Sequence, residues 1–241
     1  MADEDFRDPR LAAIYDALDS DRSDLDVYVA IAAELDAKRV LDIGCGTGTF
    51  ALLLAERGFE VTGVDPARAS LDVARNKPGA ARVRWIDGDA RQLPPMEVDL
   101  ATMTGNVAQA IAGDVAWQST LRGAREALRP GGHLVFETRD PAQQAWTEWN
   151  RADSHRVTAI AGVGAVETWV DLVEVSGPLV SFRATYVFPD GEALTSDSTL
   201  RFRESCEVEA ELTANGYVVD EVRGAPDRPG RELVFFASTV D

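Results

Sequence analysis

Short β-branched, apolar runs alternate with helical stretches along the first 140 residues of the chain. Alternation of this kind predicts a parallel sheet flanked by helices. Five strands are predicted, at residues 39–43, 61–65, 83–87, 98–103 and 133–138. A helix is predicted over residues 115–128, with Asp114 placed to cap it. The sequence therefore predicts a doubly wound α/β domain.

The pattern changes after the fifth strand. Residues 165–188 are predicted to form two long strands joined across Gly177-Pro178, and residues 192–203 can supply a third. Regular order then returns with one helix and two closing strands, predicted at residues 204–215, 217–222 and 232–238. A β-rich insertion thus interrupts an otherwise regular α/β pattern.

We expect one domain of residues 1–241. Its parts are a helical cap, a cofactor-binding core, the β-rich insertion, and a closing helix and hairpin, at residues 1–38, 39–140, 141–203 and 204–241. The insertion follows the fifth strand and so lies beside the carboxyl edge of the sheet, where ligands bind. We expect it to form a lid over the substrate, a dimer surface, or both.

The charge balance disfavours some partners. The chain has 24 basic and 41 acidic residues, a net charge of −17, so phosphate backbones and anionic lipids repel it. Its apolar runs are too short to cross a bilayer, and its first residues lack a secretory signal, so we expect a cytoplasmic protein. Two cysteines and two histidines give no disulfide framework and no zinc motif, so we expect no metal.

A glycine-rich turn follows the first strand. Gly44, Gly46 and Gly48 alternate with other residues in the run Val40-Leu41-Asp42-Ile43-Gly44-Cys45-Gly46-Thr47-Gly48. Glycine lets a ligand approach the backbone closely because it has no Cβ, and the helix that follows directs its N–H groups at that ligand. Alone, this glycine loop (residues 44–48) is compatible with several kinds of nucleotide.

Three carboxylates at the ends of successive strands narrow the choice. Asp42 precedes the first glycine, Asp65 ends the second strand and Asp89 follows the third. A carboxylate in the position of Asp65 can accept hydrogen bonds from both ribose hydroxyls and would repel a 2′-phosphate. Asp89 can accept a hydrogen bond from an adenine amino group. Each acid alone could be a solvated loop residue, but the three together indicate a nucleoside site.

NAD-linked oxidoreductases share the glycine loop and the second-strand acid. Their fingerprint ends in Gly or Ala, whereas Thr49 occupies that position here. They also have no use for an acid in the place of Asp42. The Walker phosphate loop is absent, because no Gly-Lys-Ser/Thr follows the glycines.

With these residues in place, the sequence resembles the class I S-adenosylmethionine-dependent methyltransferases. Residues 40–48 look like the first motif of that family, Asp65 matches its ribose-binding acid, and Gly88-Asp89-Ala90 matches its adenine segment. The resemblance implies a Rossmann-like, seven-stranded sheet with an antiparallel closing hairpin. It implies S-adenosylmethionine as cofactor and S-adenosylhomocysteine as product. The cofactor-binding residues that we predict are Asp42, Gly44, Cys45, Gly46, Gly48, Asp65, Pro66, Asp89, Ala90, Thr104 and Asn106.

The acceptor side is less well determined by the sequence. The candidates are Tyr15, Tyr28, Arg139 and Trp146, together with Trp149. The two tyrosines precede the first strand, where the family folds helices over the cofactor, but aromatic residues on such helices are often packed in a core. Arg139 lies at the carboxyl edge of the sheet or forms a surface ion pair, and the tryptophans wall a pocket or dock the insertion.

We therefore expect transfer of a methyl group to a small molecule, at nitrogen, oxygen or a carboxylate. Orientation supplies much of the rate in such a displacement, so the lack of an obvious catalytic pair does not argue against it, and the sequence identifies no catalytic residue. The alternatives are an NAD-linked oxidoreductase and a cofactor-binding regulatory protein without catalysis. The expected partner is a small-molecule substrate, with no nucleic acid and no membrane, and a homodimer is compatible with the insertion.

Overall fold

The computed structural model describes residues 3–240, so Met1, Ala2 and Asp241 of the expected domain lie outside the described residues. The helices are α1 (Glu4–Arg7), α2 (Pro9–Leu18), α3 (Leu25–Glu34), α4 (Thr49–Glu56), α5 (Arg68–Asn76), α6 (Val107–Ala110), α7 (Asp114–Ala127), α8 (Arg151–Ser154) and α9 (Ser205–Ala214). The strands are β1 (Arg39–Ile43), β2 (Glu60–Asp65), β3 (Val83–Asp87), β4 (Val98–Met103), β5 (Leu128–Arg139), β6 (Arg156–Ile160), β7 (Gly164–Ser176), β8 (Leu179–Val187), β9 (Ala193–Arg201), β10 (Tyr217–Gly224) and β11 (Glu232–Thr239).

The larger sheet has seven strands in the order β10-β11-β5-β4-β1-β2-β3. Strands β1 to β5 are parallel, whereas β11 runs antiparallel to β5 and to β10. The order reverses between β1 and β4, and in a sheet of this kind that switch point opens a crevice at the carboxyl ends of the strands. The predicted doubly wound sheet with its antiparallel closing hairpin is confirmed.

The central parallel strands β1 and β4 are buried on both faces, as expected for strands covered by helices on each side. Leu41 and Ile43 pack on one face with α7 and α9, while Val40 packs on the other with α3 and α4. The same alternation divides β5, where Phe136 faces α7 and Val135 faces the opposite layer. The hydrophobic cores on the two faces of the sheet fix the positions of the strand ends that carry the predicted site.

The β-rich insertion (residues 141–203) forms a second, antiparallel sheet in the order β6-β7-β8-β9. Both long predicted strands and the third are present as β7, β8 and β9, with the turn at Gly177-Pro178. Aromatic contacts fasten the segment before β6 to this sheet and to the residue after it: Trp149 packs against Phe182 at 4.8 Å between ring centres, and Trp146 packs edge-on against Phe202 at 4.6 Å. Leu11 and Ile14 of α2 bury their side chains against Ile160, Val166 and Phe188 of this sheet.

Three local predictions differ from the structure. Strand β5 begins at Leu128 instead of residue 133, because Leu128 already pairs with Val98 before an irregular segment interrupts the register. Strand β6 was not predicted at all. The residue at the cap of α7 is Gly113, in an extended conformation, and Asp114 lies in the first turn, where its carboxylate accepts a hydrogen bond from Arg201.

One glycine of α7 allows two backbones to touch. A Cβ added to Gly123 would lie 1.8 Å from the carbonyl oxygen of Ala90, which follows β3. We expect Gly123→Ala to lower the free energy of unfolding by about 2 kcal/mol, because the helix must move away from that carbonyl. Urea unfolding measures the change. Gly224→Ala is the matched control, since an added Cβ there meets nothing within 4 Å, and equal stability of the two variants would contradict this packing.

Candidate active site

A cavity of about 540 Å³ opens at the carboxyl ends of β1, β2 and β4, next to the segment that follows β3. Its floor is the glycine loop and the ends of these strands, and one wall is the segment between α6 and α7, Ile111 to Gly113. Its roof combines Phe6 and Tyr15 of the N-terminal helices with Asp197 and Thr199 of the insertion. A wider and more open groove of about 700 Å³ lies between α2 and α5, away from the strand ends.

The three glycines of the loop differ in what surrounds them. All three have positive φ angles, so each position favours glycine. A Cβ at Gly44 would lie 2.6 Å from the Val107 side chain, and one at Gly48 would lie 2.5 Å from the Trp85 ring. A Cβ at Gly46 would meet nothing within 4 Å. Gly44 and Gly48 are therefore needed for packing, and Gly46 is the glycine that faces open space on the cavity floor.

Asp65 fixes the loop from the end of β2. Its carboxylate accepts hydrogen bonds from the backbone N–H of Gly46 at 2.8 Å and from that of Ala67 at 2.7 Å. The residue is 7% exposed, and burial raises the pKa of its carboxyl despite these two bonds. A carboxylate oxygen that accepts one bond keeps a second lone pair, so Asp65 can still receive hydroxyl hydrogens from the cavity.

Asp42 lies deeper, at the end of β1. It is 1% exposed, and burial raises the pKa of its carboxyl to about 7, against the lowering influence of the Thr102 hydroxyl at 3.3 Å. The negative charge of nearby Asp65 raises this pKa further. The floor therefore holds two acids, and a pKa of about 7 leaves Asp42 only partly ionised near neutral pH.

Asp89 lines the cavity but already has partners. Its two oxygens form a paired hydrogen bond with the Arg91 guanidinium, at 2.9 and 2.5 Å, and one also accepts from the backbone N–H of Arg91. These bonds lower the pKa of the Asp89 carboxyl. An adenine amino group would have to share this carboxylate with Arg91, whereas Ala90 and Pro66 are open to the cavity.

Hydrogen bonds to buried acids beneath the cavity floor fix the segment that follows β4. Thr104 and Gly105 line the cavity, and Asn106 (6% exposed, φ +61°) lies behind them. Its backbone N–H donates to Glu137 at 2.9 Å, and its amide donates to Glu232 at 3.3 Å. Burial raises the pKa of Glu137 to about 7. Sequence reasoning missed this acid, because it lies inside a predicted strand, directly after the apolar run Leu134-Val135-Phe136, and belongs to no motif.

The residues predicted to bind the methyl acceptor lie in different parts of the structure. Tyr15 reaches the cavity roof, where it packs against Phe6. Tyr28 is 4% exposed in the core, packs against Phe50 and donates its hydroxyl to Glu137. Arg139 and Trp146 lie outside the cavity walls. Arg139 donates a hydrogen bond to Gln109 and forms an ion pair with Glu232, and Trp146 packs on Phe202.

Other residues of the cavity gave no sequence signal. Arg22 follows α2 in a short loop and brings a guanidinium to the cavity, where Asp24 pairs with it at 3.2 Å. Asp3, Phe6, Asp197 and Thr199 complete the roof. They come from opposite ends of the chain, so no local spacing could have grouped them.

Comparisons with known proteins agree with this geometry. Residues 40–132 match the model of a methyltransferase domain. The chain is 34% identical over 147 residues to the cypemycin N-terminal methyltransferase of a Streptomyces species, an alignment that covers 59% of this chain and 60% of that relative. The chain therefore spans about three fifths of the length of this curated relative.

Solved structures extend the likeness over the whole fold. The CcbJ methyltransferase of Streptomyces caelestis superposes with a TM-score of 0.78 at 21% identity and full coverage of both chains. The S-adenosylmethionine-bound CalS10, an amino pentose methyltransferase from Micromonospora echinaspora, superposes with a TM-score of 0.70 at 22% identity over 95% of each chain. This chain shares its fold with these methyltransferases, and its residues 40–132 match the methyltransferase-domain model. The β-rich insertion is included in these superpositions.

Residues 3–240 contain neither a metal-binding cluster nor a membrane-spanning helix. Within residues 3–240, no group of three or more His, Cys, Asp or Glu side chains is arranged to hold a metal ion. In the same part of the chain, no helix combines the length and the hydropathy that a membrane span requires.

The buried acid on the floor makes stability depend on pH. The pKa of Asp42 is raised from 3.8 to about 7 in the fold, so its contribution to stability is complete below about pH 4 and is lost as pH rises through about 7. Asp42→Asn has no such titration. Its unfolding free energy should fall less than that of the wild type between about pH 4 and 8, by roughly 1–3 kcal/mol.

Urea unfolding at several pH values tests this without any ligand. Thr102→Val is the matched variant, because it removes the hydroxyl partner and keeps the carboxyl, and it should retain the wild-type decline. Parallel curves for Asp42→Asn and the wild type would show that the acid is ionised in the fold.

Proposed function

We propose that the protein transfers the methyl group of S-adenosylmethionine to nitrogen, oxygen or a carboxylate of a small molecule. The observation that carries this proposal is the pairing of Gly46 and Asp65. An open backbone at Gly46 lies directly beside a buried acceptor carboxylate at the ends of β1 and β2, within a methyltransferase domain. Together they suit a nucleoside whose ribose carries free hydroxyls.

The residues of the cavity fit the parts of this cofactor. Asp65 would accept the ribose hydroxyls, and the apolar wall of Ala90, Ile111 and Ala116 would hold the flat adenine ring. Arg22 would pair with the carboxylate of the amino acid portion, since a guanidinium matches a carboxylate in two hydrogen bonds. The cofactor supplies an electrophilic methyl group on a positively charged sulfur.

The protein's own contribution is alignment and exclusion of water. Phe6 and Tyr15 cover the cavity from above, and the insertion closes the side next to α6 through Thr199. Holding two reactants in line in this way is worth up to about 7–11 kcal/mol of the barrier. An acceptor with a free lone pair needs no general base, so we assign no residue to proton removal.

The two alternatives are distinguishable. An NAD-linked oxidoreductase would use the same floor, but the family match and Thr49 at the fingerprint position favour the methyltransferase. A silent binding protein would bind the cofactor and turn nothing over. The Streptomyces relative is named an N-terminal methyltransferase, which supports including amines among the first acceptors tested.

Binding and turnover test the proposal. Calorimetry should show micromolar or tighter binding of S-adenosylmethionine and S-adenosylhomocysteine, without added metal, and weak or no binding of NAD. Cofactor with a labelled methyl group should then label a member of a library of small amines, alcohols and carboxylic acids. Tight NAD binding in place of S-adenosylhomocysteine would overturn the assignment, and binding with no turnover across a broad library would favour the silent protein.

A single added side chain should separate binding from folding. Gly46→Val places its side chain in the open floor of the cavity, so we expect it to abolish binding of S-adenosylhomocysteine by occupying its space. Gly58→Val is the matched control, because Gly58 also has a positive φ and open space but lies outside the cavity walls at the end of α4. Both variants should lose similar stability from backbone strain. Normal binding by Gly46→Val would show that the ligand does not approach this backbone.

A further inference from the structure

One carboxylate of the N-terminal region reaches the glycine loop. Asp16 of α2 accepts hydrogen bonds from the hydroxyls of Thr47 and Thr49, at 2.6 and 3.1 Å. It also pairs with the Lys77 ammonium at 2.5 Å, and that ammonium donates to Thr49 at 3.0 Å. Partial burial opposes ionisation, but the bonds from Lys77 and the two threonines lower the pKa of Asp16. The group is therefore a charged acceptor with three donors.

These contacts span the floor and the roof of the cavity. Thr47 and Thr49 flank Gly48 at the start of α4, and both line the cavity. Tyr15, the neighbour of Asp16 on α2, lines the cavity from the roof. Asp16 thus joins the loop that faces the cofactor to the helix that carries an acceptor-side aromatic ring.

Helix α2 is in turn fastened to the insertion. Arg10 donates to Asp190 at 2.6 Å and to Glu192, and its guanidinium lies 3.7 Å from the centre of the Phe188 ring. The apolar side of α2 is buried against the same sheet. Any displacement of α2 would therefore also displace the sheet that carries Asp197 and Thr199.

The glycine loop needs such a support. Its three glycines have positive φ angles and carry no side chains that could hold one another. Asp65 holds the loop at Gly46 from the sheet side, and Asp16 holds it at Thr47 and Thr49 from the roof side. Without Asp16, part of the loop would have to be ordered when a ligand binds, which lowers affinity.

We propose that Asp16 is a positioning residue that couples occupation of the glycine loop to closure of the acceptor side by α2 and the insertion. This inference rests on the proposed function, because the ligand that occupies the loop is taken to be S-adenosylmethionine. Cofactor binding should then stabilise α2, and loosening α2 at Asp16 should weaken both the cofactor and the acceptor.

The test compares two acids of the same helix. Asp16→Ala removes the link to the loop. Asp8→Ala is the matched control, because Asp8 caps α2 through the N–H groups of Arg10 and Leu11 and belongs to neither the glycine loop nor the cavity walls. Calorimetry with S-adenosylhomocysteine should show affinity weakened about tenfold or more in Asp16→Ala, as expected for lost charged hydrogen bonds, and less than about threefold in Asp8→Ala.

Hydrogen exchange and kinetics separate coupling from simple destabilisation. S-adenosylhomocysteine should slow amide exchange of residues 9–18 in the wild type and in Asp8→Ala, but not in Asp16→Ala. In turnover assays, Asp16→Ala should raise KM for cofactor and acceptor while kcat stays within about threefold. Helix loosening alone, as in Asp8→Ala, would reduce the amount of active enzyme and leave both KM values unchanged.

A second route keeps the inference testable if Asp16→Ala does not fold. Lys77→Met and Thr49→Val remove two of the three partners of Asp16 and leave its helix unchanged, and together they should reproduce most of the loss of affinity. Binding within about twofold of the wild type, with ligand-induced protection of α2 retained, would overturn the proposed coupling. Failure of the wild type itself to bind S-adenosylhomocysteine would instead overturn the proposed function.

Discussion

The cavity depends on one buried carboxylate that accepts two backbone hydrogens. Asp65 binds the N–H groups of Gly46 and Ala67, and the Val64 carbonyl beside it accepts from Gly44 and Cys45. The end of β2 therefore fixes the turn that leaves β1. Within the loop the Gly48 amide bonds to the Cys45 carbonyl at 2.8 Å, whereas the amides of Gly44, Cys45 and Gly46 find their partners on β2. The floor exists because this acid is buried, although burial raises the pKa of its carboxyl.

Further acids below the floor extend the same principle. Asp42 and Glu137 are both nearly inaccessible, and burial raises the pKa of each to about 7. Glu137 nevertheless fixes Asn106 and Tyr28, so it joins the segment after β4 to helix α3. Buried polar groups of this kind are costly and are tolerated when they are hydrogen-bonded. Here they hold irregular backbone at the ligand edge of the sheet, where apolar contacts alone would not define its path.

The sequence predicted the floor of the site far better than its roof. Strands β1, β2 and β4 are short, mostly buried segments, and Asp42, Asp65 and Thr104 lie at or next to their carboxyl ends, so the local pattern shows both the strand and its functional edge. Strand β6 is mostly exposed and has no such pattern. The roof is built from contacts such as Asp16 with Thr47, which no local spacing encodes. Tyr28 illustrates the same limit, because its helix is amphipathic whether the ring faces a ligand or, as found, a buried acid.

The separation of these contacts along the chain also sets an order of assembly. The floor is formed by residues within the first 105 positions, whereas Arg10 of α2, the helix that carries Tyr15, meets Asp190, 180 residues away. Closing a loop of this length lowers the conformational entropy of the chain before the contact can stabilise it, so contacts of that range form late. During synthesis the glycine turn and its strands can emerge and pair well before residue 190 exists. In a nascent chain, helix α2 can therefore contact the floor through Asp16 early, whereas the part of the cover that Asp197 and Thr199 supply is added last.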